Sequence, residues 1–174
     1  NKLGDPMAVE KIRIGIGHDT HRLVVGRPLF LGGVRIEHEA GLAGHSDADI
    51  VLHALTDALL GAAGLGDIGD HFPDTDPAYA GKESCYFLNE TKRLIKKNGY
   101  QIENVDLIIH AQKPRLSEFK PIIRESIARI LGLDKAMVNV KAKTGEHVGP
   151  VGRQEAMECH AIVLLIKMRD REDQ

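Results

Sequence analysis

Tryptophan is absent from the 174 residues, and aromatic residues make up only 4% of them. Stacking platforms for nucleobases along a single strand are therefore not expected. There is no surplus of positive charge either: 23 Lys and Arg stand against 25 Asp and Glu, for a formal charge of -2. A sequence-independent grip on nucleic acid needs a clear basic excess, so that class is set aside. Cysteine is scarce. Cys85 and Cys159 are far apart and form no CxxC pair, which fits a reducing compartment better than a disulfide scaffold. No apolar run approaches the roughly 18–20 residues that cross a bilayer, and the first residues carry no hydrophobic signal core. The expected location is the cytoplasm, with a processed plastid form as the alternative. A GxxxxGK(S/T) phosphate loop is also missing, and Gly15-Ile16-Gly17-His18 does not open a helix, so nucleotide-fold readings fail on context.

What remains is a chain with 43% hydrophobic and 28% charged residues, enough apolar surface for one packed domain. That domain is expected to span residues 7–170, with Met7 as a natural start and residues 1–6 as a cloning remnant or disordered tail. Ile12, Ile14 and Ile16 alternate in a strand over 11–19. Leu29–Leu31 and Val34–Ile36 flank Gly32-Gly33, a hairpin signal, and residues 37–45 read as a loop. A helix is predicted from Ser46, with Ser46-Asp47-Ala48-Asp49 as a capping box, running to the glycines at 61 and 64. Residues 66–77 read as a polar loop. Further helices are predicted over 83–98, closed by Gly99, and 117–131, closed by Gly132. Strands are expected over 105–112, 137–144 and 158–168, the last long enough to be a helix instead. The order implies an α+β fold: a mixed β-sheet of about four main strands layered with three helices, in a single domain.

Histidine is where the composition departs from the ordinary. Of the nine, His18, His21, His45 and His53 lie within a stretch of 36 positions that also holds His38, and they are interleaved with Asp19, Asp47, Asp49 and Asp57. Asp19 and His21 are two apart on a strand and share a face. Asp49, His53 and Asp57 form one helical stripe. Asp19, His21 and His53 would supply three ligands from two rigid elements, leaving a fourth position open as at a catalytic zinc. Asp49 would hold the His53 ring or cap the helix. Spacing alone leaves this open against a satisfied, partly buried histidine and a surface acid at Asp57.

An anionic ligand suits the helix start at Ser46, beside His45. Lys141, Lys143 and Thr144 lie where a strand runs out, near Glu146 and Arg153, and Glu146 suits a harder cation such as Mg²⁺. Taken singly, each of these is as readily a solvated side chain.

The motifs in order are more specific than any one of them. They are Gly17-His18-Asp19-Thr20-His21-Arg22, Gly44-His45-Ser46-Asp47-Ala48-Asp49 continuing to His53–Gly61, and Gly66-Asp67-Ile68-Gly69. Then come Phe72-Pro73-Asp74-Thr75-Asp76-Pro77, Ala111-Gln112, Val138–Ala142 and Gly152-Arg153. Over residues 12–168 the chain resembles the 2-C-methyl-D-erythritol 2,4-cyclodiphosphate synthase family of the non-mevalonate isoprenoid pathway.

The resemblance implies a phosphorus–oxygen lyase that converts 4-diphosphocytidyl-2-C-methyl-D-erythritol 2-phosphate to the 2,4-cyclodiphosphate and releases CMP. It implies Zn²⁺ on Asp19, His21 and His53, and Mg²⁺ or Mn²⁺ near Glu146 bridging the diphosphate. His45 and Thr144 match the family's transition-state stabilisers. Asp19, Thr20, His21, His45 and Ser46 would meet the substrate phosphates. Asp67, Ile68, Gly69, Phe72, Pro73, Asp74, Thr75 and Asp76 would meet the methylerythritol portion. Ala111, Gln112, Lys113, Pro114, Arg115, Leu116 and Ser117, with Lys143, Thr144, Gly145 and Glu146, would hold the cytidine and its phosphates; Pro150 and Arg153 complete the set. Family members are homotrimers with sheets around a threefold axis and active sites between subunits. Neither nucleic acid nor membrane is an implied partner.

Three departures stand out. Lys143-Thr144-Gly145 replaces a run of threonines. His18 replaces a common aromatic residue and is expected beside Asp19. Pro150 replaces an aromatic residue at the trimer channel, which argues against isoprenoid diphosphate binding there. The rival readings are a zinc-dependent phosphohydrolase, which would give a linear product, and a trimeric isoprenoid-diphosphate-binding module without catalysis.

Overall fold

A computed structural model of the chain describes residues 11–168. The expected remnant at 1–6, the start at Met7 and the domain limits at 7 and 170 lie outside the described residues. The elements are β1 (Ile12–Val25), β2 (Leu29–Leu31), β3 (Val34–Ile36), β4 (Ala40–Leu42), α1 (Ile50–Ala63), α2 (Ile68–His71), α3 (Ser84–Lys97), β5 (Tyr100–His110), α4 (Lys120–Leu131), β6 (Val138–Lys143), α5 (Gly149–Gly152) and β7 (Ala156–Lys167). A five-stranded sheet runs β4-β1-β7-β5-β6, and β2 and β3 form a separate hairpin. Among the described residues only the β5–β6 pair is parallel. The chain is thus a mixed α+β domain as expected, with one short strand added to the four long ones. The segment that could have been a helix is a strand. β7 pairs with β1 on one side and β5 on the other, and Met157, Cys159, Ala161, Val163 and Leu165 alternate into the core. Pairing with β7 also starts β5 at Tyr100, five residues before the predicted start. No described helix is long and apolar enough to cross a membrane.

The alternation in β1 identifies a strand, but the isoleucines are not its buried side. Ile12, Ile14 and Ile16 are 59%, 70% and 69% exposed, and they adjoin Ile166, Leu164 and Ile162 of β7 on the face away from the helices. The buried side is glycine. A Cβ on Gly15 would collide with the Ala58 carbonyl oxygen, and one on Gly17 with the Ala54 carbonyl oxygen. The backbone of α1 itself fills the space over β1, and only residues without side chains permit that approach.

The capping box predicted at Ser46 does not form. Ser46 and Ala48 have φ of 56° and 49°, in the left-handed region that a right-handed helix cannot include. α1 begins at Ile50 with Asp49 as its cap. The Asp49 carboxylate is fully buried. It accepts from Val51 N (3.1 Å) and Leu52 N (3.2 Å) of its own helix, and from Gly32 N (2.9 Å) and Gly33 N (2.6 Å) of the hairpin turn. Burial raises its pKa, and the backbone donors work against that rise. The far end is as predicted: Gly64 closes α1 in the left-handed region at φ 72°, and Gly132 does the same for α4 at φ 73°.

Replacing Gly17 with Ala should force α1 off β1. Overpacking of this kind costs about 1–3 kcal/mol, or roughly 2–4 °C in Tm per kcal/mol for a domain of this size. Differential scanning calorimetry should show the loss, and an unchanged Tm would contradict the close-contact account.

Candidate metal centre

The predicted ligands converge. Asp19 and His21 leave β1 on its glycine side, and His53 comes down from the first turns of α1 to meet them. One donor atom from each lies within 4.8 Å of the others. Asp19 Oδ2 is 2.9 Å from His53 Nδ1 and 3.2 Å from His21 Nδ1. His21 Nδ1 is buried yet has no hydrogen-bond partner. A buried imidazole nitrogen without a partner, facing a carboxylate and a second imidazole, is the donor set that zinc prefers. The electrostatics agree. Burial alone would raise the Asp19 carboxyl, but its interactions with His21 and His53 outweigh burial and hold it well below the usual carboxylate range. Burial likewise opposes the charged form of His53, and the Asp19 carboxylate more than compensates, so that pKa is raised. Thr20 N donates to Asp19 Oδ1 at 2.9 Å and steadies the free oxygen.

Asp49 does not hold the His53 ring; it is consumed in capping α1. The ring is held instead by a residue that spacing did not reveal. Ser84 Oγ lies 2.8 Å from His53 Nε2, and the Ser84 hydroxyl donates to Asp47 Oδ1. Asp57 is not a loose surface acid: its Oδ1 accepts from Ile68 N at 2.8 Å. It thereby ties α1 to the 66–71 segment, and burial raises its pKa.

The centre opens on a cavity of about 460 Å³, lined among others by His21, Gly44, His45, His53, Ile68, Gly69, Phe72, Asp74 and Ser84. His45 and four of the residues expected to meet the methylerythritol portion are therefore in place. Asp67 and Asp76 serve as caps of the short turns that shape this wall. Ser46 follows His45 but lines a neighbouring cavity with Asp47 and Arg129.

The remaining predicted residues gather elsewhere. Ala111 to Ser117, Lys143 and Thr144 surround a separate cavity of about 710 Å³. Thr144 Oγ1 donates to Glu146 Oε1 at 3.0 Å, beside the Gln112–His147 contact. Arg153 is exposed and paired with Glu155, and Pro150 is exposed in α5. β1 and β6 are three strand intervals apart, about 14 Å at ordinary strand spacing, so one chain does not bring these two groups together. Two expectations need correction. His18 does not lie beside Asp19: alternation turns it to the opposite face, where its ring is 4.4 Å from that of His160. His110 adjoins His160 at 5.4 Å. Lys141, expected near an anion, is paired with Asp106 on that same face.

The family model described as the YgbB family matches residues 12–166. The 2-C-methyl-D-erythritol 2,4-cyclodiphosphate synthase of Alkaliphilus metalliredigens is 53% identical over 87% of this chain and 96% of its own length. A solved structure of 2C-methyl-D-erythritol-2,4-cyclodiphosphate synthase in a CDP-bound form superposes with a TM-score of 0.83 at 40% identity, covering 88% of this chain and 99% of that one. The bifunctional IspDF of Campylobacter jejuni gives a TM-score of 0.87 at 42% identity; the match takes 91% of this chain but 43% of that longer one. Matched by the family model over residues 12–166 and 53% identical to a relative over nearly all of that relative's length, the chain belongs to the YgbB family.

Proposed function

We propose that the chain is a 2-C-methyl-D-erythritol 2,4-cyclodiphosphate synthase, a lyase of isoprenoid biosynthesis that closes its substrate into a ring and releases CMP. The observation that carries this reading is the Asp19–His21–His53 cluster, two of whose residues, His21 and His53, line a cavity together with His45. In the reaction an oxygen of the substrate's 2-phosphate forms a bond to the β-phosphorus, and the bond from that phosphorus to the bridging oxygen of CMP breaks. Both partners are anionic, so the barrier is one of repulsion and positioning.

Asp19, His21 and His53 would hold Zn²⁺, which when bound supplies a Lewis acid to a phosphate oxygen. His45 and Thr144 would donate hydrogen bonds to the phosphates as charge shifts onto them. The Ile68–Asp76 wall would orient the methylerythritol portion and exclude the water that a hydrolase would admit. Glu146 is a lone exposed carboxylate, the kind of protein ligand that suffices for Mg²⁺ or Mn²⁺ when phosphates supply further oxygens. Lys113, Arg115 and Lys143 would add positive charge around the cytidine end.

The split between the two cavities supports a site completed by a second copy. The face carrying Ile12, Ile14, Ile16 and Ile162 is large, apolar and exposed in one chain, as expected of a surface buried between copies. We read it as the inner wall of a homotrimer, sheets around the threefold axis. Two unpaired cysteines favour the cytoplasm.

Phosphorus NMR of the protein with the cytidyl substrate, Zn²⁺ and Mg²⁺ tests the reading. Two coupled diphosphate signals and free CMP are expected, whereas a linear bisphosphate would mean a hydrolase. His53→Ala should remain folded but lose zinc and at least about a hundredfold in activity; a zinc-replete, active variant would remove the centre from the mechanism. Protons compete with metal at these imidazoles. Because the His53 pKa is raised, its proton persists to higher pH than on a free imidazole, whose pKa is about 6.5. Zinc affinity and rate should therefore decline with falling pH from above that value. A flat profile down to about pH 5 would contradict the assignment.

A further inference from the structure

The hydrogen bonds behind His53 determine which of its nitrogens is free. Ser84 is the first residue of α3 and is buried. Its backbone N–H donates to Asp47 Oδ2 at 3.1 Å, and its hydroxyl donates to Asp47 Oδ1. An ionised carboxylate has no hydrogen to give, so the single hydroxyl proton of Ser84 is committed to Asp47. Ser84 Oγ can then only accept from His53 Nε2, 2.8 Å away, and that nitrogen must carry a hydrogen.

The lone pair of the neutral ring is consequently on Nδ1, the atom that faces Asp19 Oδ2 at 2.9 Å. A lone pair set against a carboxylate oxygen at that distance is repulsive unless a proton or a metal cation lies between them. His21 Nδ1, buried and unpartnered, faces the same oxygen. The arrangement is a carboxylate acting on a ligating imidazole, with a hydroxyl interposed.

We infer that Asp47 and Ser84 are positioning residues of the metal centre: through the Asp47–Ser84–His53 chain they keep the hydrogen on Nε2 and present Nδ1 to the metal. The inference rests on the reading of Asp19, His21 and His53 as that centre. It joins two stretches distant in sequence, the turn before α1 with the start of that helix on one side and the first residue of α3 on the other. Asp47 is braced in turn by Asp49 N, at 3.3 Å from its Oδ1.

The test is zinc affinity by competition with a chromogenic chelator, together with ¹⁵N NMR of the His53 ring in the zinc-loaded protein. In the wild type, zinc is expected on Nδ1 and a protected hydrogen on Nε2. Ser84→Ala should weaken zinc binding about 10–100-fold, the range for loss of such a partner. Asp47→Asn is nearly isosteric, and its amide can donate to Ser84 Oγ, freeing the hydroxyl to donate to Nε2 and reversing the preference of the ring. It should weaken zinc comparably with the helix content by circular dichroism unchanged, and it decides the matter should Ser84→Ala fail to fold. Wild-type affinity in a folded Asp47→Asn protein, or zinc on Nε2 in the wild type, overturns the inference. His53→Ala separates the two levels: unaltered zinc binding there overturns the metal centre itself and this inference with it.

Discussion

The contact between the backbone of α1 and the glycine face of β1 governs the rest of the molecule. His53 reaches Asp19 and His21 only because nothing stands between helix and strand at Gly15 and Gly17. Two further interactions make that approach definite. The buried Asp49 carboxylate ties the start of α1 to the β2–β3 turn, which fixes the helix along its axis one turn before His53. Asp57, one turn after it, holds the cavity wall. The three carboxylates that spacing placed around His53 thus do three different things. Asp19 faces two imidazoles, Asp49 binds backbone, and Asp57 carries a loop.

The same economy shapes the electrostatics. Buried carboxylates are unfavourable unless hydrogen-bonded or paired, and each here has a specific partner. Asp49 is satisfied by four N–H groups and stays a structural element. Asp19 has one oxygen occupied by Thr20 N and one facing two imidazoles, so its charge is directed at those rings. On the opposite face of the sheet the His18, His160 and His110 rings lie side by side. Burial and the two neighbouring rings lower the His160 pKa, which favours the neutral form among the isoleucines of that face.

Local chemistry was legible in the sequence, and long-range placement was not. The Gly32-Gly33 turn and the Gly64 and Gly132 closures could be found because each depends on a few residues at fixed spacing, whereas the Asp19/His21/His53 set stayed open on spacing and was singled out by the resemblance of the motifs in order. The direction that β1 faces could not be read from its alternation: isoleucine and glycine alternate equally well either way, and only the presence of α1 decides. The capping box at 46–49 had the right residue types and failed on backbone conformation, with two left-handed residues delaying the helix to Ile50. Ser84 lies 31 residues from His53, and no periodicity links them. A serine at a helix start looks like any other. The split of the candidate site into two cavities follows from strand order, which single-strand patterns do not contain.

That strand order has a consequence for how such a protein can change. β1 and β6 stand at separated positions in the sheet, with β7 and β5 between them, and the walls of the two cavities share no residue. The loops after β5 and β6 can drift, lengthen or exchange charges without disturbing the contacts that set the imidazoles. The side chains that set the Asp19–His21–His53 cluster and the loops after β5 and β6 are written in separate stretches of chain. Selection can revise either one while leaving the other as it was.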